Sequence, residues 1–291
     1  MMSRLGIAVL WLLHFLPLSA QARIGNGLGW VLYFVVGKRR KIGATNLALC
    51  FPEWSVAQRK RVLQQHFQAM SRAALEHGML WWSDAARVRG LVKIEGWAHY
   101  EAVKNQPIIL LAPHFIGLDM GGVRLSIEPH PLVSMYSRLK NPHFDTLMLQ
   151  ARTRFGRSVL ISRHEGVRPL IREMKQGAAL YYLPDQDFGA KDAEFVPFFG
   201  IPAATVNAMP RMAKLAHAKI LPVITQQLPD GQGYVLKFYP AWDNYPSNNM
   251  VADIARMNAF IEDRVREMPA QYFWLHKRYK TRPAGEPSFY L

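Results

Sequence analysis

The stretch "LLAPHFIGLDMGG", residues 110–122, places His114 and Asp119 five positions apart at the end of an apolar run. Histidine changes charge near neutral pH, so it suits proton transfer from a hydroxyl. A carboxylate that accepts from one imidazole nitrogen leaves the other free as a base. In an ideal helix, positions i and i+5 lie about 140° apart, which is not one face. The pair therefore meets only if His114 is still in a loop and Asp119 lies in the first helical turns. Backbone N–H groups at such a helix start, helped by Gly117, would face developing oxyanion charge. The same spacing also fits a plainer arrangement, in which His114 caps the helix and Asp119 meets its dipole.

Other polar residues fall after apolar runs in the same way. Arg138 and Asn141 follow "PLVSMY", Arg163 and Arg168 follow "SVLIS", and Asp185 and Asp187 follow "AALYYLP". Arg152 and Arg154 lie on the helix expected between the first two sets. Arginine offers paired donors to phosphate, although a solvated basic face would carry the same residues. Two aspartates without further ligands make a weak metal site, so Asp185 and Asp187 are expected to order arginines such as Arg211. The remaining histidines show no metal-ligand spacing, and neither a metal nor a cofactor is expected. The chain contains no G-x-S-x-G and no P-loop, which argues against a serine hydrolase or an NTPase.

The elements that must position these residues alternate. Ser55 is an N-cap for a long helix over residues 56–82. Strands are expected at 91–96, 107–113, 131–136, 158–162, 178–184, 219–226 and 233–240. Helices are expected at 97–105, 117–126, 142–156, 166–176, 205–217 and 250–268. This is an α/β pattern: a mixed, largely parallel central sheet with helices on both faces. "PIILLAP" and "AALYYLP" are apolar at every position, as central strands are. They place His114 and Asp185 at carboxyl ends, where open α/β sheets bind ligands.

The first 41 residues differ in character. Two uncharged apolar runs, 5–22 and 24–36, are separated by Arg23 and followed by Lys38, Arg39, Arg40 and Lys41. A cleaved signal, a single spanning helix and a monotopic anchor each fit. The short broken runs suit an anchor best, with the basic cluster at lipid headgroups. The expected division is an apolar helical anchor at 1–41 and one catalytic domain at 42–291. Across the 291 residues, 36 Lys and Arg against 21 Asp and Glu give a formal charge of +15. Such a chain seeks anions. Eight Trp and thirteen Met beside the apolar N-terminus point to lipid rather than nucleic acid. The single cysteine, Cys50, excludes an intrachain disulfide and fits a reducing compartment.

"HFIGLD" matches the H-x-x-x-x-D motif of glycerolipid acyltransferases. Further segments resemble one branch of them, the late acyltransferases of lipid A biosynthesis: "KIGATNLALCFPE", "YSRLKNPHFDTLMLQARTRFG", "SRHEGVRPLIREMKQGAALYYLPDQDFG", "VPFFGIPAATVNAMPRMAKLAHAKILPV" and "YFWLHKRYKTRP". The resemblance covers nearly the whole chain in order. It implies an enzyme on the cytoplasmic side of the bacterial inner membrane that moves an acyl chain from acyl carrier protein to a hydroxyl of a lipid A precursor. It implies His114 as general base with Asp119 orienting it. Arg138, Asn141, Arg152, Arg163, Arg168, Asp185, Asp187 and Arg211 are the expected substrate-side residues. "AKDAEFVPFFGIPA" is expected to be a flap on the acyl channel or a strand pair covering the core. The rival readings are the same fold acting on another glycolipid or phospholipid with acyl-CoA, and a non-catalytic basic membrane-binding protein.

Overall fold

Ile108–Leu111 are buried at all four positions, and so are Ala179–Tyr182. Water reaches neither side of these strands, so both must lie at the centre of a covered sheet. The structure, a computed structural model, describes residues 2–290. Its helices before the sheet are α1 (Met2–Leu13), α2 (Leu18–Val35), α3 (Gly37–Cys50), α4 (Val56–Trp82) and α5 (Ala85–Leu91). Then follow β1 (Val92–Glu95), α6 (Trp97–Glu101), β2 (Ile108–Leu111), α7 (Leu118–Ser126), β3 (Leu132–Tyr136), α8 (Pro142–Thr153), β4 (Ser158–Ser162), α9 (Arg168–Lys175) and β5 (Ala179–Tyr182). The last elements are β6 (Ala193–Phe198), β7 (Ile201–Val206), α10 (Ala208–Ala216), β8 (Lys219–Gln227), β9 (Tyr234–Phe238) and α11 (Met250–Glu267).

Seven strands form one sheet in the order β1-β9-β8-β2-β5-β3-β4. Every neighbouring pair is parallel except β8 with β9. Alternate residues of each strand enter opposite cores, as a pleat requires. Ile109, Leu111, Val133, Leu180 and Ile220 pack with residues of α9, α10 and α11. Ile108, Leu110, Leu132, Ala179, Tyr181 and Leu221 pack with residues of α5, α6, α7 and α8. Both faces are therefore helix-covered. The β6–β7 pair is a separate antiparallel hairpin whose Val196, Phe198 and Ala203 are fully buried. Of the two readings of that segment, covering the core is what these residues do.

The N-terminus departs from expectation. The break comes at Pro17, which precedes α2, and Arg23 lies inside that helix. At 12 and 18 residues, α1 and α2 are about 18 and 27 Å long. No described helix is long and apolar enough to cross a membrane. The spanning-helix reading is not supported, because proline divides the apolar run and α2 carries Gln21, Arg23 and Asn26. α2 is pressed onto α4 through Gly25 and Gly29. A Cβ added there would lie 2.7 Å from Arg72 Cα and 2.4 Å from Gln68 Cα. The expected division after residue 41 falls inside α3, whose Asn46 donates to the Trp274 and His276 carbonyls at 2.7 Å each.

Candidate active site

β2 and β5 are adjacent and in register, with Leu111 opposite Tyr182. His114 and Asp185 both leave the sheet three residues later, and they meet. His114 Nδ1 lies 2.7 Å from Asp185 Oδ1, and the His114 backbone N–H donates to Asp185 Oδ2 at 3.0 Å. The carboxylate is an acceptor only, so Nδ1 carries the proton and Nε2 is left as a lone-pair base. The C-terminal segment closes on the same loop. Phe273 N donates to His114 O at 3.0 Å, and Ile116 N donates to Gln271 O at 2.8 Å. Backbone and ring of His114 are thus both fixed. Asp185 is 2 % exposed. Burial would raise its pKa, but the charge and hydrogen bonds of His114 outweigh this and hold it below the usual range.

Asp119 does not take the expected place beside His114. It lies in the first turn of α7, where Gly117 and Gly121 seat the helix directly on Thr225 of β8. Its carboxylate accepts from Arg152 at 2.7 Å and from His77 Nε2 at 3.3 Å. His77 Nδ1 is in turn 2.6 Å from the Ala73 carbonyl. Both His77 partners are acceptors, so both ring nitrogens donate and the ring is an imidazolium when both bonds are made. Burial opposes charge on both groups. For Asp119 it is outweighed by Arg152 and His77, which hold the carboxyl well below its usual range. For His77 it is outweighed by the bond to Asp119 and its charge, and the pKa is raised.

His114, Asp119 and Arg152 border two cavities that share lining residues. An open pocket of about 520 Å³ is lined by His114, Tyr136, Met148, Arg152, Arg163 and Phe188, among others. A smaller recess of about 70 Å³ shares Met135, Arg152, Tyr181 and Leu183 with it. That recess holds Asp119 together with Val123, Leu132, Val159 and Leu160. The arrangement sets a fixed imidazole at a pocket lined by apolar side chains and by Arg152, Arg163 and Lys191.

The other expected residues divide. Arg152 and Arg163 line the large pocket, and Arg163 lies 5.9 Å from the Phe188 ring centroid. Asn141 instead caps α8, accepting from His143 N and Phe144 N at 3.0 and 3.3 Å, so its side chain is engaged locally. Asp187 is a staple: it accepts from Thr281 N at 2.6 Å and Thr281 Oγ1 at 2.8 Å. Its own N–H donates to His276 Nε2 at 3.0 Å. Arg211 does not meet Asp185; it faces Asp192 at 3.5 Å, because α10 starts beyond the hairpin. Arg138 and Arg168 are exposed and border neither cavity. Arg154 Nη1 donates to the Trp81 carbonyl at 2.6 Å, a structural role. The expected oxyanion donors are partly consumed, since Ile116 N and Leu118 N already donate to Gln271 O and Phe115 O. His77 and the Gln271–Phe273 stretch were not legible as site residues. No spacing ties them to His114, and only the fold brings them near.

The chain matches the family of bacterial lipid A biosynthesis acyltransferases over residues 1–281. It is 34 % identical to the lipid A biosynthesis lauroyltransferase of Escherichia coli, over 98 % of this chain and 94 % of that one. It is 32 % identical to the E. coli palmitoleoyltransferase of the same biosynthesis, over 98 % and 93 %. Against the E. coli myristoyltransferase the identity is also 32 %, over 85 % of this chain and 77 % of the other.

Proposed function

This chain belongs to the bacterial lipid A biosynthesis acyltransferases, and from that premise we propose that it moves a fatty acyl chain from acyl carrier protein to a hydroxyl of an anionic lipid A precursor. The observation that carries the reading is the free Nε2 of His114 at the wall of the large pocket, with Nδ1 held by Asp185. Nε2 takes the proton of the acceptor hydroxyl as its oxygen attacks the thioester carbonyl. The tetrahedral intermediate then collapses, the C–S bond breaks, and the carrier thiolate recovers the proton from His114. Asp185 keeps the imidazole in the correct tautomer and favours the imidazolium that forms, the role a buried aspartate has beside a general-base histidine. Arg152 and Arg163 supply positive potential for the developing oxyanion and for acceptor phosphates. Asp119 acts one step back, fixing Arg152 at the pocket wall.

No protein nucleophile is required. Cys50 is buried among apolar residues, burial pushes its thiol up to about 12, and its Sγ faces the Tyr279 hydroxyl at 3.2 Å. The acceptor is amphiphilic, and the N-terminus suits a monotopic attachment to the inner membrane, with the site on the cytoplasmic side. Leu5, Trp11, Leu12, Phe15, Trp30 and Phe34 are all exposed on or beside α1 and α2. Such a helix pair lies in one leaflet rather than through both.

The test is direct. Purified protein is incubated with an acyl carrier thioester and a lipid A precursor bearing a free hydroxyl, and the product is weighed by mass spectrometry. A gain of one acyl group that depends on His114 is expected. Equal transfer by the His114→Ala protein, shown folded by circular dichroism, overturns the mechanism.

A further inference from the structure

Two large apolar side chains at the pocket mouth face solvent. Leu139 is 48 % exposed and Phe188 56 % exposed, although both border the large pocket. They come from different loops, one after β3 and one after β5. The loop of Leu139 is held, since its N–H donates to Asp145 Oδ1 at 2.8 Å. Phe188 sits under Arg163. Both are flanked by exposed cations, Arg138 and Lys140 beside Leu139, and Arg163 and Lys191 beside Phe188. Of the nearby carboxylates, Asp192 is paired with Arg211, and Asp145 accepts from the Leu139 N–H, so the four cations outnumber the anions left unpaired. Apolar tips ringed by free positive charge are the pattern of a surface that dips into an anionic lipid interface.

The mouth is also continuous with the apolar N-terminus. Helix α1 packs beside α8, and a Cβ added at Gly6 would lie 3.9 Å from the Phe144 ring. The same α8 supplies Asp145, Met148, Leu149 and Arg152 to the pocket. The exposed Leu5, Val9 and Leu12 belong to the helix that packs on α8.

We propose that Leu139 and Phe188 insert into the anionic leaflet, so that the pocket opens directly into the membrane and a lipid acceptor enters without crossing water. This rests on the monotopic attachment proposed above and names a second contact for it. Insertion at the mouth fixes the depth at which the acceptor headgroup meets Arg163, which attachment through α1 alone does not.

The test places one fluorophore at a time. In a Cys50→Ala background the full chain carries Leu12→Cys, Leu139→Cys, Phe188→Cys or Asn105→Cys, each labelled with an environment-sensitive dye. Asn105 is exposed at the opposite end of β2 and serves as control. Vesicles of phosphatidylglycerol and phosphatidylcholine are added, with spin-labelled lipid as quencher. Blue shift and quenching at 139 and 188, but not at 105, are expected. A shift at 12 without one at 139 and 188 overturns this inference and leaves the N-terminal attachment standing. No shift at any position removes both, whereas shifts at 139 and 188 without one at 12 keep the mouth contact and remove the attachment. A response at 139 and 188 to carrier protein in the absence of vesicles, with none to lipid, overturns the proposal in favour of protein docking. In the unlabelled protein, the Leu139→Glu and Phe188→Glu pair should weaken vesicle binding roughly tenfold or more.

Discussion

His114 and Asp185 stand 71 residues apart in the chain and 2.7 Å apart in space, each three residues beyond a pair of strand residues that lie opposite one another. Parallel strands in register deliver their outgoing loops side by side. The contact is thus a consequence of the β2–β5 pairing, and the second bond, from the His114 N–H to the same carboxylate, makes the loop and the ring one unit.

Asp185→Asn should lower kcat by about 10²–10⁴ with little change in KM, because the wrong tautomer is then held at Nδ1. His114→Ala should lose about as much, and the double variant little more, since the two act together. Steady-state kinetics on the three folded proteins decides this. A loss confined to KM, or full additivity, would reassign Asp185.

Asp119→Asn leaves Arg152 and His77 facing each other without their shared anion. Loss of these charge-assisted bonds should cost about 1.5–3 kcal/mol of stability. Activity should fall as well, because Arg152 is no longer fixed at the pocket wall. Denaturant unfolding beside kinetics checks both. Unchanged stability would mean that this ion cluster carries no net weight.

His77 titrates above its usual 6.5 in the folded protein. A group whose folded pKa is raised stabilises fully below its unfolded pKa, and the contribution disappears as pH rises through the folded value. The difference in melting temperature between wild type and His77→Gln should therefore be largest below about pH 6.5 and shrink at higher pH. A difference that grows with pH reverses the assignment.

Cys50→Ala should keep nearly full activity, because direct transfer needs no thiol. Its cost is confined to the Tyr279 contact and a small core void. Acyl label on the protein during turnover, found by intact mass, would restore a covalent route.

The formal charge of +15 should assist encounter with an acidic carrier. Added salt shortens the Debye length to about 3 Å at 1 M. In micelles with neutral headgroups, kcat/KM for the carrier thioester should fall steeply with salt while kcat changes little. A flat profile would confine the basic surface to the lipid side.

Much of the architecture was legible because its signals are local. Apolar runs, Ser55 as a cap and the alternation of strand and helix patterns require nothing beyond neighbouring residues, and Ser55 does cap α4 through Gln58. Asn141 was misread as substrate-facing because a capping asparagine and a binding asparagine look alike in one dimension. The two apolar runs meet at Arg23, but the helices divide at Pro17, the residue that cannot continue a helix, and Arg23 lies inside α2.

The sequence by itself determined that His114 would lie at the carboxyl end of a buried strand. It could not choose which carboxylate His114 holds. Asp119 is five residues away, but its position on α7 turns it toward α4 and α8, where His77 and Arg152 take it. Asp185 is far along the chain, yet adjacent strands bring it into contact. Proximity in sequence is set by bonds, whereas the partner of a side chain is set by strand order, register and the direction a helix faces. Those are properties of the packed core, and only the tertiary structure decides them.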